Sequence, residues 1–332
     1  MQLSAIKRPE VRLILNRLVN YIQISIEESN KMDLSDHKHL VDTDWLAQHL
    51  NDENLVVVEA TSLLPNYFEE SVATEGIKTE SGREAFDQDH IPGSTYIGIL
   101  EEISDPQGGR FMYGLPSATR FSEVMSQNGI GADSAVVIYD RSMNMWAARL
   151  WWMLRVFGFN NAVVLDGGYT KWVQEGRPTN REIVRRSPAN FIAKFQSGLV
   201  ADRDQVLGAI EKEGSCLINA LLSDEFEGKP PQRYKRLGRI PSSVRVPFNE
   251  TVDLDSQVYI DDKNARSVFE QAGASAAEEV ICYCGGGIAA CSTALLLARL
   301  GYDGVSVYDG SMNEWAGDMS LPIESGTDSL LS

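Results

Sequence analysis

Residues 279–301 read EVICYCGGGIAACSTALLLARLG. Residues 280–283 are apolar, as in a buried strand, and residues 289–300 have the composition of a buried helix. Three glycines separate the two segments, which predicts a tight turn between a strand and a helix. Cys284 is the first residue of that turn.

A turn of this kind can direct several backbone N–H groups and the positive end of a helix at one atom. Such surroundings can lower a cysteine pKa from about 8.5 to between roughly 3.5 and 7.5, which gives a nucleophilic thiolate. The turn alone leaves open a second interpretation, a buried and unreactive cysteine at a strand end. We predict that Cys284 is the catalytic nucleophile and that the loop after it holds the negative charge. That loop comprises Gly285, Gly286, Gly287, Ile288, Ala289 and Ala290.

The two halves of the chain repeat one pattern. A strand-like run, a helical segment, a glycine and a second strand-like run follow each other in both halves. The repeat is far longer than a solenoid unit, which indicates a duplicated domain. The landmarks that recur at one constant spacing are Gly158, Asp166 and Trp172 in the first half and Gly301, Asp309 and Trp315 in the second.

Short apolar runs alternate with helical segments throughout both halves. Predicted helices cover residues 117–128 and 146–157 in the first half, and 202–213 and 289–300 in the second. This alternation predicts an α/β fold with two tandem domains, each a mostly parallel sheet flanked by helices. We expect an N-terminal extension over residues 1–39, a first domain over 40–175, a linker over 176–200 and a second domain over 201–325.

The turn of the first half that matches Cys284 begins with Asp140. Bulky residues follow it, beginning with Arg141, and it contains neither a thiol nor a glycine. Ligands of open parallel sheets bind outside the carboxyl ends of the strands, where both turns are expected. We therefore predict that the second domain is catalytic and that the first is not.

Composition excludes several classes of ligand. A net charge of −17 argues against nucleic acid, and no run approaches the roughly 18 apolar residues of a membrane span. We predict no metal site, no disulfide framework and no cofactor, because the cysteines lack ligand spacing and all four histidines lie in the other half.

Reduced thiols favour the cytoplasm, while an organelle presequence within residues 1–36 stays open. The cysteines are Cys216, Cys282, Cys284 and Cys291.

Two other chemistries fit the glycine turn less well. The turn satisfies the G-x-G-x-x-A pattern of dinucleotide sites, with Asp309 at the end of the next strand. Too little chain follows Gly287 for the strands that complete such a site. A cysteine phosphatase needs an arginine six residues after its nucleophile to bind phosphoryl oxygens, and Ala290 stands there.

The chain resembles the tandem-domain rhodanese family, the thiosulfate and 3-mercaptopyruvate sulfurtransferases. The resemblance covers roughly residues 40–325. It is carried by Asp44-Trp45-Leu46, His90-Ile91-Pro92-Gly93, Leu115-Pro116-Ser117, Trp151-Trp152-Met153-Leu154-Arg155, Leu165-Asp166-Gly167-Gly168, Tyr283-Cys284 with its turn, and Tyr308-Asp309-Gly310-Ser311 through Glu314-Trp315.

The resemblance implies an inactive first domain and a catalytic second one. It also implies that the Cys284 thiolate takes a sulfane sulfur from thiosulfate or 3-mercaptopyruvate, becomes a persulfide and passes the sulfur to cyanide or a thiol. This is covalent catalysis of the ping-pong type. An alternative from another class is a non-catalytic tandem rhodanese module for binding or for sulfide sensing.

The residues after Cys284 indicate the sulfur donor less clearly than they indicate the reaction. Thiosulfate enzymes of the family carry basic residues just after the cysteine, where this chain has glycines, and mercaptopyruvate enzymes carry a serine where it has Gly286. The histidine and aspartate that would support this serine are matched by Tyr113 and Glu101, so the pattern slightly favours thiosulfate. We predict that Arg233, and with it Arg239, binds the donor's anionic end; Lys235 and Arg236 lie in the same basic segment.

Overall fold

A computed structural model describes residues 32–105 and 113–326. The first half contains β1 (Leu40–Val41), α1 (Thr43–His49), β2 (Leu55–Glu59), β3 (Ser62–Leu63), α2 (Val72–Glu75), β4 (Glu80–Ser81), α3 (Arg83–Gln88), β5 (Thr95–Tyr96), α4 (Ile99–Glu102), α5 (Ala118–Gln127), β6 (Ala135–Tyr139), α6 (Met145–Val156), β7 (Ala162–Leu165) and α7 (Gly168–Gln174). The second half contains β8 (Val200–Ala201), α8 (Arg203–Ala209), β9 (Ser215–Asn219), α9 (Ser223–Phe226), β10 (Ser243–Arg245), α10 (Asp262–Gln271), β11 (Glu279–Tyr283), α11 (Ala289–Arg299), β12 (Val305–Tyr308) and α12 (Ser311–Trp315).

Each half forms a five-stranded sheet, and the two sheets have the same strand order. The first sheet runs β1-β7-β6-β2-β5, and the second, read from its matching edge, runs β8-β12-β11-β9-β10. All strand pairs in both sheets are parallel. The structure thus confirms the predicted α/β fold of two repeated, mostly parallel sheets flanked by helices.

The central strand of each sheet is buried on both faces. All five residues of β6 and four of the five in β11 are buried, as expected for parallel strands with helices on both sides. Asp140 directly follows β6 and Cys284 directly follows β11. Both residues therefore lie at the carboxyl edge of a sheet, at matching positions of the repeat.

The two halves share one continuous core. Helices α6 and α11 pack against each other, and one hydrophobic cluster contains buried residues of both sheets. Arg149 of α6 is completely buried, and its Nη1 lies 2.6 Å from Asp309 Oδ1 of the second half. The same guanidinium donates hydrogen bonds to the carbonyl oxygens of Gly287 and Tyr113. An ion pair therefore connects the first half to the loop that follows Cys284.

Part of the predicted N-terminal extension packs onto the first sheet. Leu34 is buried in its hydrophobic cluster, and the Asn161 side chain accepts from the Leu34 amide and donates to Met32 O. Residues 1–31 of the extension, including most of the expected presequence region, lie outside the described residues. None of the helices in the described ranges is long and apolar enough to cross a membrane.

We expect Arg149→Met to lower the free energy of unfolding by about 3 to 5 kcal/mol, because it leaves Asp309 as a buried charge without its partner. Urea unfolding followed by tryptophan fluorescence measures this change. As a control, Lys212→Met removes the exposed pair with Glu279 and should cost less than about 1 kcal/mol. Equal losses in the two variants would contradict a special role for the buried pair.

Candidate active site

A cavity of about 300 Å³ lies at the carboxyl edge of the second sheet and is lined by residues of both halves. Cys284 is one of its lining residues, and only 2% of that residue is exposed. Gly285, Gly286, Ile288 and Ala289 of the predicted loop also line it, while Ala290 is fully buried behind them. The structure therefore brings the nucleophile and most of its loop to one enclosed space.

The loop is held by its carbonyl groups and leaves its amides free. Ser311 Oγ accepts a hydrogen bond from the Cys284 amide, and the amides of Met312 and Asn313 donate to the carbonyl oxygens of Cys284 and Gly285. Within the described ranges, the amides of residues 285–290 donate no hydrogen bond to the protein. Buried N–H groups in native proteins are almost always paired, so this loop is built to receive an acceptor.

The matching loop of the first half already contains its acceptor. One carboxylate oxygen of Asp140 accepts from the amides of Ser142 and Asn144, at 2.7 and 3.1 Å, and the other accepts from Ala147 at 2.8 Å. Burial raises the pKa of Asp140, and these backbone hydrogen bonds oppose that rise. The repeat thus shows a side-chain carboxylate held at the place where the second half has the Cys284 thiol.

Two tyrosines occupy the space beside the glycines of the loop. A Cβ on Gly285 would overlap the Tyr234 hydroxyl, and a Cβ on Gly286 would lie 2.7 Å from the ring of Tyr113. Gly287 adopts φ +76°, and a Cβ there would lie 2.8 Å from Asp309 O. A side chain larger than the glycine hydrogen fits at none of these three positions unless the neighbouring residues move. This packing explains why the loop carries no basic residue.

Arg233 lies behind the wall of the cavity and is not among its lining residues. Its Nε and Nη2 donate to Tyr67 O at 3.0 and 2.8 Å, and its Nε lies 3.7 Å from Glu225 Oε1. Glu225 in turn accepts from the Tyr67 hydroxyl. Burial raises the pKa of Glu225, and the Arg233 charge opposes that rise. Arg233 therefore fixes Tyr67, which does line the cavity.

The structure also places Arg239 away from the cavity. Its guanidinium donates to the carbonyl oxygens of Phe226 and Gly326 and to the carboxylate of Glu324. Neither predicted donor-binding arginine is brought to the cavity lining, because each is already bonded to the chain around it. Of the two positions matched to the family's histidine and aspartate, Tyr113 lines the cavity and Glu101 does not.

The first half contributes more residues to this cavity than the two matched positions, Tyr113 and Glu101, indicated. Arg141, the residue after Asp140, lines it and forms ion pairs with Glu59 and Asp89. A further group of lining residues comes from the segment around the β3–β4 pair: Leu64, Tyr67, Phe68 and Ile77.

The other three cysteines are structural. Burial raises the pKa of Cys216 to about 11, that of Cys291 to about 12 and that of Cys282 well above its usual value. The Cys291 thiol also donates to Gly287 O at 3.0 Å, on the side of the loop away from the cavity. These thiols stay protonated near neutral pH and are poor nucleophiles.

The fold and the repeated loop are features of a protein family. Comparison with known proteins identifies that family. The rhodanese-like domain family matches the chain in two regions, residues 42–175 and 217–318. The chain therefore belongs to the rhodanese family, as a tandem protein with two such domains. This confirms the resemblance stated from the sequence.

Relatives resemble the chain over most of its length. It is 32% identical over 319 residues to thiosulfate/3-mercaptopyruvate sulfurtransferase 2 of Arabidopsis thaliana, with 89% of each chain covered. It is 30% identical to the thiosulfate sulfurtransferase of Rattus norvegicus, covering 84% of this chain and 92% of the relative. The crystal structure of SseA from Escherichia coli, described as a 3-mercaptopyruvate sulfotransferase, superposes with a TM-score of 0.70 at 27% identity, covering 82% of this chain and 98% of SseA.

We expect iodoacetamide at pH 8 to label the native protein once, at Cys284. At that pH a thiol with a pKa of about 11, such as Cys216, reacts about a hundredfold more slowly than an unperturbed cysteine, because it is almost entirely protonated. Peptide mass mapping after timed labelling gives the site. Cys291→Ser should leave the extent of labelling unchanged, whereas alkylation of Cys291 in the native protein would contradict this assignment.

Proposed function

We propose that this protein is a sulfurtransferase that carries a sulfane sulfur on Cys284. The donor is thiosulfate or 3-mercaptopyruvate, and the acceptor is cyanide or a thiol; no cofactor takes part. The observation that carries the proposal is the pair of matching loops, one filled by the Asp140 carboxylate and the other left with free amides around Cys284. The names of the relatives support the same reaction.

In the first half-reaction the Cys284 thiolate attacks the outer sulfur of thiosulfate. A new S–S bond forms to Sγ, the S–S bond of thiosulfate breaks, and sulfite leaves with the electron pair. With 3-mercaptopyruvate, the C–S bond breaks instead and pyruvate leaves after its carbon takes a proton. The product in both cases is a Cys284 persulfide, whose terminal sulfur is an anion at neutral pH.

The loop amides stabilise this anion. They are fixed before the reaction by the hydrogen bonds of the loop carbonyls, so they need no reorientation as charge develops on sulfur. The Asp140 carboxylate, held by three amides in the other half, is the structural precedent for an anion in such a loop. We assign catalysis to the second domain, residues 201–325, and a structural role to the first, residues 40–175, with residues 176–200 as the linker.

We favour thiosulfate as the donor, because Gly286 offers no serine hydroxyl to activate mercaptopyruvate and the packed Tyr113 leaves no room for one. Arg141 is the cation that the described lining places in the cavity. Arg233 supports donor binding through Tyr67. We place the protein in the cytoplasm, since four buried, unpaired cysteines suit a reducing compartment.

Intact mass spectrometry tests the sulfurtransferase proposal against the non-catalytic alternative. After incubation with thiosulfate, and separately with 3-mercaptopyruvate, we expect the mass of one added sulfur atom on the wild-type protein. Cys284→Ser should gain none, and Cys291→Ser should gain as much as the wild type. If reduced, folded protein gains no sulfur from either donor, the enzyme assignment fails and a binding or sensing module remains.

Arg233→Ala should raise the KM for thiosulfate about tenfold, because Tyr67 loses both hydrogen bonds that fix its backbone at the cavity wall. Steady-state formation of thiocyanate from cyanide measures the effect. Lys235→Ala, an exposed change in the same segment, should leave KM as it is. An unaltered KM in Arg233→Ala, with a normal unfolding curve, would remove Arg233 from the donor site.

A further inference from the structure

We propose that the physiological acceptor at this site is a small thiol attached to an apolar, preferably aromatic, group. This inference rests on the proposed function and names the acceptor class for the same cavity. It distinguishes this protein from a sulfurtransferase whose main acceptor is cyanide or a charged thiol.

The walls of the cavity are apolar on nearly every side. Apolar side chains line it from four separate segments of the chain, and aromatic rings stand on both sides of the loop. Burial raises the pKa of Tyr67 and Tyr234 well above the usual value, so both hydroxyls stay neutral. The apolar residues that the inference uses are Leu64, Phe68, Met143, Trp146, Leu221 and Phe248.

The mouth of the cavity carries large apolar side chains that the protein itself leaves uncovered. Phe68 is 66% exposed and Leu254 is 60% exposed, and both are lining residues. Phe68 comes from the first half and Leu254 from the second, so the two halves present apolar groups to one opening. Exposed apolar groups at a concave site favour a ligand that removes them from water.

The size of the cavity fits a ligand larger than the donor. Its volume of about 300 Å³ lies at the lower end of the range for organic ligands of drug size, about 300–1,000 Å³. Thiosulfate has only five heavy atoms and therefore occupies a small part of this volume. An aromatic ring linked to a thiol by one carbon is small enough to enter this volume and adds the apolar surface that thiosulfate lacks.

The charge of the site favours a neutral acceptor. Arg141 is the cation among the described lining residues, and its guanidinium is engaged by Glu59, by Asp89 and by the ring of Tyr169 at 3.6 Å. A carboxylate-bearing thiol would therefore lose its hydration without gaining a free cation. An apolar thiol carries no second charge, so apart from the reacting sulfur it loses only unfavourable contact with water.

The transfer step balances without a further reagent. The acceptor thiolate attacks the terminal sulfur of the Cys284 persulfide, and an S–S bond forms to the acceptor. The S–S bond to Cys284 breaks, and its electron pair returns to Sγ as the thiolate. The acceptor leaves as a hydropersulfide anion, while the proton of the original thiol passes to solvent.

The test compares two acceptors of similar thiol acidity, benzyl mercaptan and 2-mercaptoethanol, on protein whose persulfide has been confirmed by mass. We expect kcat/KM to favour benzyl mercaptan at least tenfold, about the gain from burying one aromatic ring. The same pair is measured against glutathione persulfide in solution, and its intrinsic ratio is divided out. A corrected ratio near one would overturn the inference and leave the transferase proposal intact; absence of any persulfide would overturn both.

Two variants test whether the apolar mouth of the cavity causes the preference for the aromatic thiol. Phe68→Ala should reduce the corrected ratio several-fold, because one apolar wall at the mouth is removed. This side chain is 66% exposed, so its removal should change the free energy of unfolding little. Phe195→Ala is the matched control, since Phe195 is 55% exposed and does not line the cavity. The inference fails if both variants keep the wild-type ratio or if both lower it equally.

Discussion

The rest of the structure depends on one constraint, that the buried backbone amides after the central strand of each sheet need a hydrogen-bond acceptor. Asp140 meets it in the first half with its own carboxylate. In the second half the same position carries Cys284, and the loop amides are left without a protein acceptor within the described ranges. Because unpaired buried amides are costly, we infer that this loop receives the anionic terminal sulfur of the proposed persulfide. The duplication thus produced one loop that is filled by the Asp140 carboxylate and one loop that carries the proposed nucleophile, Cys284.

The first half does more than repeat the fold. Arg149 extends from α6 into the second half and holds both Asp309 and the carbonyl of Gly287, so the loop after Cys284 is supported from behind by the first half. The cavity itself is closed by side chains of both halves. The first half therefore contributes to the site, because it supports the loop through Arg149 and supplies part of the cavity wall.

The tyrosines beside the loop determine which groups can stabilise a negative charge there. Tyr234 and Tyr113 fill the space that side chains at positions 285 and 286 would need, so in the proposed mechanism amide dipoles, and not a loop side chain, stabilise the negative sulfur. Buried tyrosines with raised pKa values add no charge of their own. The consequence is a cavity whose floor accepts an anion and whose walls are apolar, which links the chemistry of Cys284 to the choice of acceptor.

The sequence by itself determined the duplication, the α/β class and the position of Cys284, because strand, turn and helix are encoded within about twenty consecutive residues. The predicted helices over 117–128 and 146–157 are found within one residue at each end, whereas the one over 202–213 ends at Ala209 because the chain turns towards Gly214, at φ +80°, to enter β9. Only the tertiary structure decided that Arg233 and Arg239 point away from the cavity, and that Tyr67 and Phe68 reach it. Those outcomes depend on contacts between segments far apart in the chain, such as that of Arg233 with Tyr67 and that of Arg239 with Gly326, which no local periodicity records.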